Sequence, residues 1–256
     1  MQVYDTSLWR EVFAWYARGM ALRAPLRRAA DPNVAEIAAL IGDPARSAML
    51  FALLDSRELL PASELAFRAG ASPQSASAHL AKLVAGGLLT ATAVGRQRLF
   101  RLASSDVGHA IEVLATIARP TPIVALSQTT TMQRLREARS CYDHLAGRLG
   151  VAVTDHFVER GTITMSDRAF ALTARGERFF RTLGIDVDRA RADRRSFARA
   201  CVDWSERRPH LAGSLGASLL ERFLSAGWVA RNAQDRALRI TPEGRIELER
   251  RFRIRL

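Results

Sequence analysis

The sequence predicts a mainly α-helical chain with small β-hairpins, an α+β fold. An N-terminal winged helix-turn-helix precedes a C-terminal region of two degenerate winged-helix-like repeats. Two observations predict this. Residues 43–103 run in the order helix, short helix, turn, helix, basic hairpin, which sets one helix in a major groove and a hairpin on a duplex backbone. Residues 135–256 then repeat their own motifs in the same order, the mark of units that bury a shared face.

Residues 1–33 read as a helical leader, with Trp9, Phe13, Trp15 and Tyr16 on an amphipathic stretch and a break at Asp31-Pro32-Asn33. Residues 34–119 read as the winged helix-turn-helix and dimerisation domain. Within it, 34–41 is an apolar-rich helix, Asp43-Pro44 starts the next, and Ser63-Glu64-Leu65-Ala66 marks a short one. Gly70-Ala71-Ser72 is the turn, 73–83 the third helix and Gly86-Gly87 its stop. Residues 88–102 form a hairpin with a basic tip, Leu99 and Leu102 facing inward and Arg98 and Arg101 outward. Ser105-Asp106 caps a helix over 107–118, ended by Pro120 and Pro122. Residues 120–134 are a linker that leads into a long helix over 135–149. Residues 135–256 form an effector or packing domain, with copies at about 135–190 and 195–256.

The repeat is explicit. Cys141-Tyr142-Asp143 recurs as Cys201-Val202-Asp203, and HisLeuAlaGlyArgLeuGly at 144–150 recurs as HisLeuAlaGlySerLeuGly at 210–216. Phe157 matches Phe223, and AspArgAla at 167–169 recurs at 235–237. The second copy carries an insertion over 205–209, just before its histidine. Each copy reads as helix, short hairpin, helix, without the turn and polar third helix of the first module, and so as a unit that does not bind DNA.

Charge and composition narrow the classes. Formal charge is +12 and the isoelectric point about 11.2, which suits a polyanionic partner. No apolar run approaches the roughly 18 residues of a membrane span, so no membrane partner is expected. Two cysteines give no disulfide framework and suit a reducing cytoplasm. No glycine-rich cofactor loop, paired carboxylates or nucleophile motif is present, so neither an enzyme nor a cofactor is expected.

The third helix offers Ser72, Gln74, Ser75, Ser77, His79 and Lys82 to DNA. Gln74 and Ser75 lie in its first turn, where base edges are usually met. His79 and Lys82 suit phosphate, as do Arg96, Arg98 and Arg101 on the hairpin. The bland reading of these arginines is a solvated strand face. An architectural or protein-interaction module without an inducer is the alternative function, and a steep salt dependence without sequence preference would mark it.

Residues 34–118 resemble the ArsR/SmtB family of bacterial transcriptional regulators. The matching signals are Asp43-Pro44-x-Arg46, Glu64-Leu65-Ala66, the helix from Ser72 through Gln74, Ser75, Ser77 and His79 to Leu80, the Gly86-Gly87-Leu88-Leu89 exit, and the Gly95-Arg96 wing. The resemblance implies a homodimer, usually a repressor, with the helices at about 34–42 and 107–118 making the dimer contact. A dimer reads two half-sites, so an imperfect palindromic operator of double-stranded DNA is expected. The founding metal sensors of that family carry Cys-x-Cys just before Glu-Leu-Ala. Here Pro61 and Ser63 stand in those positions. Proline has no ligand atom and serine is a poor ligand for soft metals, so no metal is expected at the usual position.

Any effector must then meet the second half. Cys141 and His144, three apart, would share a helical face, and Cys201 and His210 are the matching pair. The four suit a buried packing role, a Cys2His2 metal site, or a thiol pair open to oxidants. Trp204, Arg207, Arg208 and His210, around the insertion, form a second cluster that suits an organic anion or an ordinary surface loop. The effector, metal or small molecule, is not named by the sequence.

Overall fold

The computed structural model describes residues 32–56, 58–119, 126–166 and 169–256; most of the leader lies outside them. Residues 38–256 form one compact unit.

Helices α1 (Val34–Ile41) and α2 (Pro44–Asp55) come first. Asp43 caps α2 by accepting from the Arg46 amide at 2.9 Å, and Pro44 occupies the first turn, where its missing N–H costs nothing. Strand β1 (Leu60–Pro61) leads into α3 (Ala62–Arg68), and Gly70, at φ 61°, turns the chain into α4 (Pro73–Ala85). Strands β2 (Leu89–Val94) and β3 (Gln97–Leu102) form the wing, and α5 (Ser105–Ile117) follows. The sheet order is β1-β3-β2, antiparallel throughout. Ala76, Leu80 and Leu83 of α4 pack with Met49, Leu50, Leu65, Phe100 and Ile111 in one core, leaving the polar face of α4 outside.

The second half is built twice on one plan. Helix α6 (Leu126–Glu137) precedes the first copy: hairpin β4 (Arg139–Cys141) and β5 (His144–Ala146), helix α7 (Gly147–Glu159), hairpin β6 (Ile163–Ser166) and β7 (Ala169–Leu172), helix α8 (Ala174–Thr182). After α9 (Val187–Ala192) the order recurs: β8 (Arg199–Val202), β9 (Pro209–Ala212), α10 (Gly213–Ser225), β10 (Val229–Arg231), β11 (Leu238–Ile240), α11 (Pro242–Phe252). The copies interlock. Strand β7 pairs with β8 in a sheet ordered β6-β7-β8-β9, while β4 meets the β11 edge through the Arg139–Ala237 bridge. Helix α7 packs on β9 and α10 on β5, and Thr154 of α7 accepts from the Leu211 amide of β9 at 2.9 Å. Phe157, Phe180, Phe223, Trp228 and Phe252 fill the shared core with tilted and edge-on ring contacts.

Three expectations change. The long helix over 135–149 breaks after Glu137, and 139–146 is a hairpin. Its strands gain a ladder partner, since Ser140 N–H donates to the Arg236 carbonyl and Leu238 N–H to that of Ala138, and short apolar runs carry no period that separates strand from helix. Each copy therefore opens with a hairpin that the sequence reading lacks. Leu99 and Leu102 do not share a face, because side chains alternate along a strand; Phe100 is the buried residue, with Arg98 exposed above it.

The seating of each long helix on its own hairpin depends on glycine. A Cβ on Gly216 of α10 would lie 2.4 Å from the Leu211 carbonyl oxygen and 3.3 Å from His144 Cβ; at Gly150 of α7 the matching distances are 2.5 Å to Leu145 and 3.8 Å to His210. Gly216→Ala is expected to cost about 1–3 kcal/mol through this overpacking, read as a lower urea midpoint at unchanged slope. A wild-type midpoint would contradict the close approach.

Candidate functional site

Two places carry functional side chains. The first is the outer face of α4 with the wing. Gln74, Ser77 and Lys82 are exposed, Gln74 and Ser77 on one face at i, i+3. Ser72 is the N-cap and accepts from the Ser75 amide at 3.2 Å, and Ser75 is half-buried. His79 is also half-buried, its Nδ1 lying 3.4 Å from Arg46 and 3.7 Å from Asp43, so it ties α4 to the cap of α2. Arg96 and Arg98 are exposed at the wing tip. Arg101 sits at the wing base, where its Nε donates to Thr90 Oγ1 at 3.2 Å.

The second place is a buried cysteine–histidine centre where the two copies meet. Cys141 and His144 are cross-strand partners in β4–β5, and Cys201 and His210 are partners in β8–β9. These four are not arranged along helical faces as expected; the hairpins bring both pairs together instead. All four side chains are buried, and their donor atoms lie within 4.8 Å of one another. The thiols are 3.9 Å apart and the two Nε2 atoms 3.1 Å apart. Behind each imidazole stands a carboxylate of its own copy: Asp143 lies 3.3 Å from His144 Nδ1, and Asp203 lies 3.5 Å from His210 Nδ1.

These carboxylates are held in turn. Asp203 accepts from Arg139 at 2.8 Å, from the Gly147 amide at 2.7 Å, and from the Ser205 hydroxyl at 2.7 Å. Burial opposes its charge, yet Arg139 and these donors keep its carboxyl far below the usual carboxylate range. Asp143 pairs with Arg195. Glu112 of α5 accepts from the Cys141 thiol at 2.5 Å and pairs with Arg236, whose Nε also reaches Asp55 of α2 at 2.9 Å. The neighbouring Cys201 thiol and burial push Cys141 up to about 12. Burial works against a charged His144, but Asp143 and Cys141 hold it at about 9.

The cluster expected around the insertion does not form an anion pocket. Trp204 lies under Arg139, whose Cζ is 4.6 Å from the ring centroid. Arg207 donates to the Ala118 carbonyl at 2.7 Å and Arg208 to Asp155 at 2.7 Å, so the two guanidiniums are spent on different neighbours. The aspartates behind the histidines had a sequence signal, the repeated Cys-x-Asp. Arg236 lies in the repeated AspArgAla, which did not single it out; Glu112, Arg139 and Arg195 lie outside the quoted repeats. A cleft of about 820 Å3 beside the centre is lined by His109, Glu112, Cys141, His144, Arg199 and Arg236 among others, so solvent reaches one side of it. No single described helix is long and apolar enough to cross a membrane.

Residues 41–91 match the family of a helix-turn-helix domain. The chain is 43% identical over 226 residues to the HTH-type transcriptional regulator YdfF of Bacillus subtilis strain 168, spanning 88% of this chain and all of that protein. Among solved structures, the cadmium metal-sensor CMTR of Mycobacterium tuberculosis is 31% identical, with a TM-score of 0.29, over 36% of this chain and 98% of its own. The homodimeric winged helix-turn-helix domain Mb0332 of Mycobacterium bovis is 20% identical, with a TM-score of 0.30, over 43% of this chain and 95% of its own.

Asp203→Ala removes the acceptor of Arg139, the Gly147 amide and the Ser205 hydroxyl and leaves Arg139 without its carboxylate. It is expected to destabilise the protein by about 3–5 kcal/mol, measured by urea unfolding. A loss under about 1 kcal/mol, the level of an exposed ion pair, would mean that this network does not organise the centre.

Proposed function

This chain belongs to the HTH-type transcriptional regulators, and we propose that it is of the ArsR/SmtB type, a cytoplasmic homodimeric repressor released from its operator by an effector met in the second half. The observation that carries the DNA reading is the exposed polar face of α4, with Gln74 and Ser77 beside the basic wing tip of Arg96 and Arg98. Gln74 suits a bidentate contact to adenine and Ser77 a base edge or phosphate. Lys82, Arg96 and Arg98 suit phosphates, which set register and salt dependence. Ser72 serves best as the cap that orients this face. Ser75 and His79, half-buried, act by shaping the helix surface.

Apolar side chains left in solvent support the dimer. On α5, Val113, Leu114 and Ile117 are 49%, 44% and 77% exposed, and on α1 Val34 is exposed as well. Such patches mark interaction faces. A twofold pair of α4 helices would read half-sites about one helical turn apart. Support for an effector outside the usual position is chemical: Pro61 and Ser63 bracket the start of α3 without a soft ligand. An effector releases DNA only by binding the DNA-free form more tightly.

Gln74→Ala with Ser77→Ala should weaken a specific operator by about 1–3 kcal/mol for each lost base contact and leave non-specific binding unchanged. Wild-type operator affinity in a gel-shift assay would overturn these base contacts. Arg96→Ala with Arg98→Ala should weaken all sequences alike and flatten the salt slope by about one per phosphate lost. Leu114→Glu with Ile117→Glu should turn the dimer to monomer in sedimentation; an unchanged dimer would place the interface elsewhere.

A further inference from the structure

We propose that Cys141, His144, Cys201 and His210 bind one divalent cation of the zinc class. Geometry is the first argument. In a tetrahedral zinc site with the usual bond lengths, the two sulfurs stand about 3.8 Å apart and the two nitrogens about 3.3 Å apart. The distances here are 3.9 Å between thiols and 3.1 Å between Nε2 atoms. All four donors come from hairpins braced by the interlocked helices, so the ligand set is formed without loop folding. Borderline-soft sulfur and imidazole donors in this ratio suit zinc and disfavour magnesium or calcium.

The histidines supply the second argument. His144 Nδ1 is hydrogen-bonded to Asp143 at 3.3 Å, the arrangement that puts the proton on Nδ1 and a lone pair on Nε2 in metal-bound histidine, and Asp203 lies 3.5 Å from His210 Nδ1, which has no hydrogen-bond partner. Here both Nε2 atoms aim at one another across 3.1 Å inside the protein. Without a cation this distance is an N–H···N hydrogen bond between the rings; with one bound, both rings can offer an Nε2 lone pair to it.

Charge supplies the third. Asp203 has Arg139, Asp143 has Arg195, and Glu112 has Arg236. Arg236 also serves Asp55, so the surroundings carry no spare positive charge, and two thiolates with one dication add no charge of either sign. A monovalent soft ion would leave a net negative charge in a buried site, which is costly. The cleft that reaches Cys141 and His144 provides access. This site lies apart from the Pro61 and Ser63 positions and does not depend on the repressor reading, since binding is read on the protein without DNA.

The test uses the full-length chain, reduced and stripped with a chelator, then titrated with cobalt(II) and zinc(II). One cobalt per chain is expected, with thiolate-to-metal charge transfer and the intense visible bands of a tetrahedral site, bleached by stoichiometric zinc. Cys141→Ser and Cys201→Ser should each remove about half of the charge-transfer intensity, one of two thiolates. Should either variant fail to fold, alkylation of the wild-type chain decides: zinc should protect both thiols by at least about 10-fold and a chelator should restore reactivity. Absence of charge transfer together with unprotected thiols would overturn the proposal. So would a chain that joins Cys141 and Cys201 in a disulfide under mild oxidant at the same rate with and without zinc.

Discussion

The contact on which the second half depends is the approach of each copy's long helix to the other copy's first hairpin. Helix α10 packs on β5 and α7 on β9, while each helix closes on its own hairpin because Gly216 and Gly150 carry no Cβ against the Leu211 and Leu145 carbonyls. That approach buries the starts of both helices, brings the two hairpins into register, and leaves nowhere for Cys141, His144, Cys201 and His210 except against one another. One methyl group of separation would be felt throughout, as it is in any interior packed to crystal-like density.

Arginine then completes what packing begins. Arg139 is fully buried, yet it serves Asp203, lies over Trp204 and donates to the Leu135 carbonyl at 3.1 Å. Arg236 is anchored beside the last hairpin and reaches both Asp55 and Glu112, on α2 and α5 of the winged helix. Buried pairs of this kind add little net stability over apolar residues of the same shape. Their value is orientation: a planar guanidinium fixes the directions of its partners. The two hydrophobic cores are thus joined by directional bonds, so a change at the cysteine–histidine centre has a path through Glu112 to α5.

The winged helix was legible because its signals are local. Caps at Asp43 and Ser72, glycines at 70 and 95, and the apolar spacing of α4 each act within a few residues of themselves. The duplication was equally legible, since it is written as repeated words. The hairpins at 139–146 and 199–212 were not. Their strands are three or four residues long, too short for a period, and the pairings that brace each hairpin, Arg139 with Ala237 and Arg199 with Ala169, lie far along the chain. The four donors were named from the sequence, but on the wrong secondary structure, and the arginine cluster expected near Trp204 dispersed to unrelated partners. What the sequence withheld was pairing between distant segments, which is also what creates the buried centre.

The interlocked duplication has a consequence for how the centre assembles. Were its two Cys–His halves carried on separate chains, completing the centre would be a bimolecular event, sensitive to protein abundance. A regulator present at few copies per cell would then rarely hold it. Fusing the halves into one chain makes the second half a tethered neighbour at an effective concentration on the order of millimolar. Both halves of the centre are therefore supplied by a single chain, independently of how many chains the cell has made.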